Sequence, residues 1–152
     1  RLKRKKSLPK VMDIANHNYL INTPSLLSFA DLEICLNKYE SRGSLVGNRV
    51  ICEENKKIVD EWLINNTFLD KFSKHKDFDA LTPSFLIPKN QINLEKIHKF
   101  LQKNKIAYDI KNYKKASEGI RIWTGPTIKK KDLIALTNWL DWCFKNINNI
   151  KL

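Results

Sequence analysis

What this sequence lacks excludes several chemistries at once. It holds four glycines in 152 residues, and neither GxGxxG nor GxxxxGK[ST] occurs, so both Gly-rich devices for cradling a phosphate are missing. GxSxG and HExxH are missing as well, which leaves Ser25 and Ser84 without nucleophile context. The three cysteines, Cys35, Cys52 and Cys143, lie far apart with no CxxC and no Cys/His cluster at zinc spacing. Each sits in a helix-like apolar pattern and reads as a reduced thiol of a cytoplasmic protein. His17, His75 and His98 share no spacing with a cysteine or a carboxylate pair, so structural or surface roles fit them and no metal site is expected. No apolar run approaches the roughly 20 residues of a membrane span. The stretch RLKRKKSLPK lacks the apolar core of a signal peptide. The chain opens without methionine and reads as part of a longer product.

Arginine is also scarce. Lysine and arginine together number 28, but arginine stands only at Arg1, Arg4, Arg42, Arg49 and Arg121. Four of these have polar or terminal surroundings, whereas Arg121 lies inside the strand-like run GIRIW. The formal net charge of +12 admits a nucleic-acid-binding module. Against that reading, the lysines are spread along the whole chain, and the company of Asn and Ile is what an AT-rich genome encodes. RLKRKK is the one dense cluster, so nucleic acid is not the expected partner.

Helix signals dominate the first part. In INTPSLLSFADLEICLNKYESRG, Thr23 suits an N-cap and Pro24 the first helical position. Leu27, Ala30, Leu32 and Ile34 to Leu36 supply an apolar face as far as Tyr39, and Gly43 is placed to stop the helix. A second helix is expected over about 47–65 on Val50, Ile51, Ile58, Trp62 and Leu63. TFLDKF and TPSFLIP then read as strands. LEKIHKFLQKNK is a short amphipathic helix on Leu94, Ile97, Phe100 and Leu101. IAYDIKNY and GIRIW are strand-like, and KKKDLIALTNWLDWCFKNI is a helix with Leu133, Leu136, Leu140, Cys143, Phe144 and Ile147 on one side. The order predicts an α+β domain, a small, mostly antiparallel sheet covered by helices.

Two places stand out chemically. Asn22 and Thr23 begin a helix, where bare N–H groups and the helix dipole favour an anion; plain capping is the competing use. Arg121 shares a strand face with Trp123, opposite Ile120 and Ile122. Its guanidinium can fork onto a carboxylate as lysine cannot; the competing reading is an exposed arginine on an edge strand.

GIRIWTGPTIKKKDLIALTNWLDWCF resembles the C-terminal segment of phosphoserine aminotransferases, with their G-[LI]-R-I-W-x-G-x-T pattern and closing L-x-x-W-L-D-W. INTPSLL is similar to the N-T-P-S segment of that family, and ESRGSLVGNRVICEENKKIVDEWL to its connecting helix. The resemblance implies the small α+β domain of an aspartate-aminotransferase-fold enzyme. Residues 1–43 would be the end of the large domain and the start of the connector, and residues 44–152 the C-terminal small domain. It further implies a cytoplasmic homodimer that uses pyridoxal 5'-phosphate to move an amino group from L-glutamate to 3-phosphohydroxypyruvate, making O-phosphoserine for serine biosynthesis. Carried over by motif, Asn22 and Thr23 bind the cofactor phosphate, and Arg121 binds the substrate α-carboxylate. Lys114, seven positions before Arg121, helps hold the substrate phosphate. The Schiff-base lysine of the family lies upstream of this segment, so no catalytic residue is assigned and the chain alone is expected to be inactive. A folded remnant without activity is the remaining alternative.

Overall fold

In the computed structural model, which describes residues 25–113 and 116–150, helix α1 runs Leu26–Ser41. Its N-cap is Ser25, not the expected Thr23: the Ser25 backbone is extended and its hydroxyl accepts a 3.4 Å bond from the Ser28 amide. Thr23 and Pro24 lie outside the described residues. Gly43 stops the helix as expected, with φ at 87° and its amide donated to the Glu40 carbonyl at 2.8 Å. Ser44 also takes a positive φ, and this double left-handed turn lets helix α2, Ser44–Ile64, begin earlier than its apolar pattern suggests.

Two compact units divide between Ser44 and Leu45. In the first, α1 buries none of its residues, although Leu26, Leu27, Phe29, Leu32, Ile34 and Leu36 lie along it, each at least half exposed.

The second unit is built on a three-stranded antiparallel sheet, ordered β1 (Leu69–Lys71), β2 (Ser84–Pro88), β3 (Ile120–Ile122). Leu69 pairs with Pro88, Lys71 with Leu86, Leu86 with Ile120, Phe85 with Arg121 and Ser84 with Ile122. Alternation then does what period 2 requires. Leu69, Leu86, Ile120 and Ile122 point inward and are buried. Phe85 and Arg121 share the other face.

Three helices meet the inward face in one core. Helix α3 (Leu94–Lys103) contributes Leu94, Ile97 and Leu101, and helix α4 (Lys130–Lys145) contributes Leu133, Leu140, Cys143 and Phe144. Val59 comes from α2, and Ile110 and Ile150 complete the cluster. Full burial of one such aliphatic side chain is worth about 1.5–3 kcal/mol, so this layer carries the unit. The small α+β architecture expected from the element order is the one observed.

Two expectations need correction. IAYDIKNY does not form a strand; it touches the sheet through a single bridge, Lys111 to Ile120, and the bond from the Arg121 amide to the Ile110 carbonyl at 2.8 Å. Lys105 at φ 57° turns the chain just before it, and extended pairing does not become established. The inward side of α2 is also wider than the apolar stripe, whose Ile58, Trp62 and Leu63 do pack against the core. Asn48, Cys52, Asn55 and Val59 are buried, while Val50 is exposed. The polar members earn that place through partners: Asn55 Nδ2 donates to the carbonyls of Gly125 and Ile128, both at 3.1 Å, and so fastens α2 to the turn that follows β3.

Candidate functional site

Beside β3 lies a cavity of about 790 Å³ whose lining includes Glu95, His98, Asp109, Asn112, Tyr113 and Arg121. Its wall depends on a close approach at Gly119. A Cβ there would stand 2.3 Å from the Leu86 carbonyl oxygen and 2.9 Å from Asn112 Nδ2, so only glycine fits between β2 and the loop. Asn112 in turn donates to the Ser117 carbonyl at 2.9 Å, which ties that loop down.

Arg121 is held from several sides. Its Nη1 donates to the Tyr113 hydroxyl at 3.2 Å, and its guanidinium carbon lies 4.9 Å from the centre of the Tyr113 ring. Its Nη2 donates to the Asp109 carboxylate and, at 3.4 Å, to the Asp109 carbonyl. Phe85, its cross-strand partner, packs on Tyr113 with ring centres 6.4 Å apart. The Arg121 side chain is only 15% exposed, so this is not an arginine fully exposed on an edge strand. The hydrogen bond to Asp109 holds its pKa above the ordinary value, and a guanidinium is charged at any working pH.

Several polar atoms of the cavity residues are buried without a partner among the described residues: Arg121 Nε, Asn112 Oδ1 and both ring nitrogens of His98. Burial pushes the His98 pKa down, against an upward pull from Glu95; a neutral imidazole therefore lines the cavity at neutral pH. Lys111 is paired with Glu95, and that bond holds the Glu95 carboxyl below its usual range. The cavity thus offers a planar cation, a neutral imidazole, a phenol and a carboxamide beside the carboxylates of Glu95, Asp109 and Glu118, and its guanidinium suits the carboxylate of a small ligand.

Of the site residues expected from the sequence, Arg121 is in this cavity. Asn22, Thr23 and Lys114 lie outside the described residues. Asp109, Tyr113, His98 and Glu95 were not singled out as site residues; the fold brings Asp109 and Tyr113 to Arg121 and His98 and Glu95 to the same cavity, and no local spacing marks them. Among the described residues there is no group of three or more His, Cys, Asp or Glu that could hold a metal, and no helix is long and apolar enough to cross a membrane. Much of the positive charge is locally balanced: Lys56 and Lys71 meet Asp79, Lys74 meets Asp70, and Lys130 meets Glu54.

The fold has counterparts among solved aminotransferases. A phosphoserine aminotransferase from Cytophaga hutchinsonii superposes with a TM-score of 0.74 over 88% of this chain and 36% of its own, at 17% identity. A second, from a study of radiation damage of the Schiff base in phosphoserine aminotransferase, gives a TM-score of 0.69 at 21% identity over 88% of this chain and 36% of its own. These likenesses show the fold. In sequence, the chain is 33% identical over 125 residues to the phosphoserine aminotransferase of Methanosarcina mazei and 32% identical over 125 residues to that of Methanosarcina barkeri. Each alignment takes in 82% of this chain and 34% of the relative. The chain therefore spans about a third of the length of the curated relatives it matches. No family model matches it. The resemblance to the C-terminal portion of phosphoserine aminotransferases, read from the motifs alone, is borne out.

Proposed function

We propose that this chain supplies the substrate-gripping small domain of a phosphoserine aminotransferase, a cytoplasmic, homodimeric enzyme converting L-glutamate and 3-phosphohydroxypyruvate to 2-oxoglutarate and O-phosphoserine. The observation that carries the reading is Arg121. A rigid strand holds its guanidinium, mostly desolvated, at the wall of a cavity large enough for either amino acid. Both amino donors share an α-carboxylate, so one planar cation serves both halves of the reaction. Lys114 is the residue assigned to the phosphate of the phosphorylated partner. Residues 1–43 are assigned to the end of the large domain and residues 44–152 to the small domain.

The cofactor implied is pyridoxal 5'-phosphate, which when bound supplies an electron sink for the carbon that carries the amino group. Asn22 and Thr23 are the residues of this chain assigned to its phosphate. The described cavity itself does not fit the cofactor's attachment, since Lys111, the described lysine there, is engaged by Glu95. The work of the described residues is to orient the substrate by its carboxylate and to exclude water around Arg121.

The test is ligand binding by the chain itself. Nuclear magnetic resonance titration with L-glutamate and with O-phospho-L-serine is expected to move the Gly119 amide and the Arg121 side chain, and Arg121→Ala is expected to abolish the response. Incubation with pyridoxal 5'-phosphate, glutamate and phosphohydroxypyruvate is expected to give no turnover above the cofactor-only background. An Arg121→Ala chain that binds both amino acids like the unaltered one would remove Arg121 from the site.

A further inference from the structure

The following rests on the reading of Arg121 as the α-carboxylate grip. We infer that Asp109 is a positioning residue for that grip: its carboxylate occupies the guanidinium in the free domain and is exchanged for the carboxylate of the arriving ligand.

Three observations carry this. First, the pair is lopsided. The Arg121 side chain is 15% exposed and the Asp109 side chain 84%. The arginine is fixed by β3, by Tyr113 and by the Asp109 carbonyl, while the acid reaches it from solvent and can leave without disturbing the core. Second, the contact is chemically half of what a free carboxylate can make. Asp109 accepts from Nη2, and Nη1 is taken by Tyr113. Nε is buried and unpartnered among the described residues. Nε and Nη2 form one edge of the guanidinium, and a carboxylate not tethered to the backbone can turn to span both with parallel bonds. An unpaired buried donor is costly, and exchange relieves it. Third, the partner given up is itself solvent-exposed, so water screens the pair and takes up the released carboxylate, and the exchange runs in the ligand's favour.

The role also has a direction that a merely structural contact would not have. Loss of a structural salt bridge loosens the site and weakens binding. Loss of a place-holder removes a competitor and tightens it. Glu118 provides the control, because it lines the same cavity and repels an anion in the same general way, whereas the guanidinium is bonded to Tyr113 and Asp109.

The experiment is titration of the isotope-labelled chain with L-glutamate at about 150 mM salt, where distant charges are largely screened, read at the Gly119 amide. The Asp109→Asn chain is expected to bind roughly two- to fivefold more tightly than the unaltered chain, the range a solvent-screened pair accounts for. Glu118→Gln is expected to tighten binding less than Asp109→Asn does. Arg121→Ala, checked for folding by its amide spectrum and backed by Arg121→Lys, is expected to lose binding, and Asp109→Asn added to it is expected to restore nothing. Unchanged or weaker binding by Asp109→Asn, or equal tightening by Glu118→Gln, overturns the role of Asp109 while leaving Arg121 as the grip. Normal binding by Arg121→Ala overturns both.

Discussion

Asn55 offers the sharpest test of how the second unit is held together. It is fully buried, and its Nδ2 serves the carbonyls of Gly125 and Ile128 at 3.1 Å each. Its Oδ1 has no partner among the described residues. Asn55→Ala deletes two hydrogen bonds worth about 0.5–1.5 kcal/mol each in net terms. The cavity left behind adds to the cost, and removal of the unpaired Oδ1 offsets part of it, so about 2 kcal/mol is expected. For a unit of roughly 100 residues that is a fall in Tm of about 8–16 °C. Asn55→Asp preserves shape but turns the donor into an acceptor facing two carbonyl oxygens, and places a charge in the core. It is expected to be worse than Ala at pH 8. Its carboxyl would escape by holding a proton, so its folded pKa lies above the unfolded one. Folded protein then binds more protons than unfolded protein, and the variant loses stability as pH rises through that interval. Urea unfolding followed by tryptophan fluorescence at pH 4.5 and pH 8 measures both effects. Equal stability of the Asp and Ala chains at pH 8, or an Ala chain within 0.5 kcal/mol of the unaltered one, would refute the assignment of Asn55 as the clasp.

The other predictions concern charge and close packing. Burial depresses the folded pKa of His98 below its ordinary 6.5, so the unfolded chain binds the proton first and stability falls as pH drops from 6.5 towards the folded value; His98→Phe should flatten that part of a stability-against-pH curve. For Asp79, burial raises the pKa, but bonds from Lys71 at 2.8 Å and Lys56 at 3.0 Å outweigh it and the net shift is down from 3.8. Its contribution is therefore present above 3.8 and lost as pH falls through the lower folded value, and Asp79→Asn should reduce the acid limb of the same curve. Gly119→Ala puts a methyl against the Leu86 carbonyl and is expected to cost about 1–3 kcal/mol, seen as a lower urea midpoint with an unchanged slope.

Elements with strong local patterns could be read before the fold was known. The faces of α3 and α4 follow from Leu94, Ile97 and Leu101 and from Leu133, Leu140 and Cys143, because apolar spacing and burial coincide there. The α2 face was legible only in part: Ile58, Trp62 and Leu63 pack against the core as their spacing suggests, but asparagine scores as polar, and only the distant carbonyls of Gly125 and Ile128 make Asn55 a core residue. The same holds for the strand expected over IAYDIKNY. Its composition suits a strand, but pairing is decided by the partner, and only Lys111 finds one, at Ile120. Arg121 drew notice in the sequence because an arginine between two isoleucines in a strand is conspicuous, and the fold places it at the cavity wall. Asp109 and Tyr113 were not, since the loop that carries them to the guanidinium has no sequence period to announce it.

The three thiols make the molecule its own stopwatch. Cys143 has no exposed surface, and burial pushes its pKa up to about 11. Cys52 is buried on α2, whereas Cys35 is exposed on α1. An alkylating reagent needs both access and thiolate. Cys35 should therefore be consumed at once, and Cys143 only when the α4 layer parts from the sheet. Blocking Cys35 first leaves the slower labelling of Cys52 and Cys143, and at reagent concentrations where labelling outpaces reclosing the Cys143 phase gives the opening rate of the core. Mass spectrometry reads it thiol by thiol.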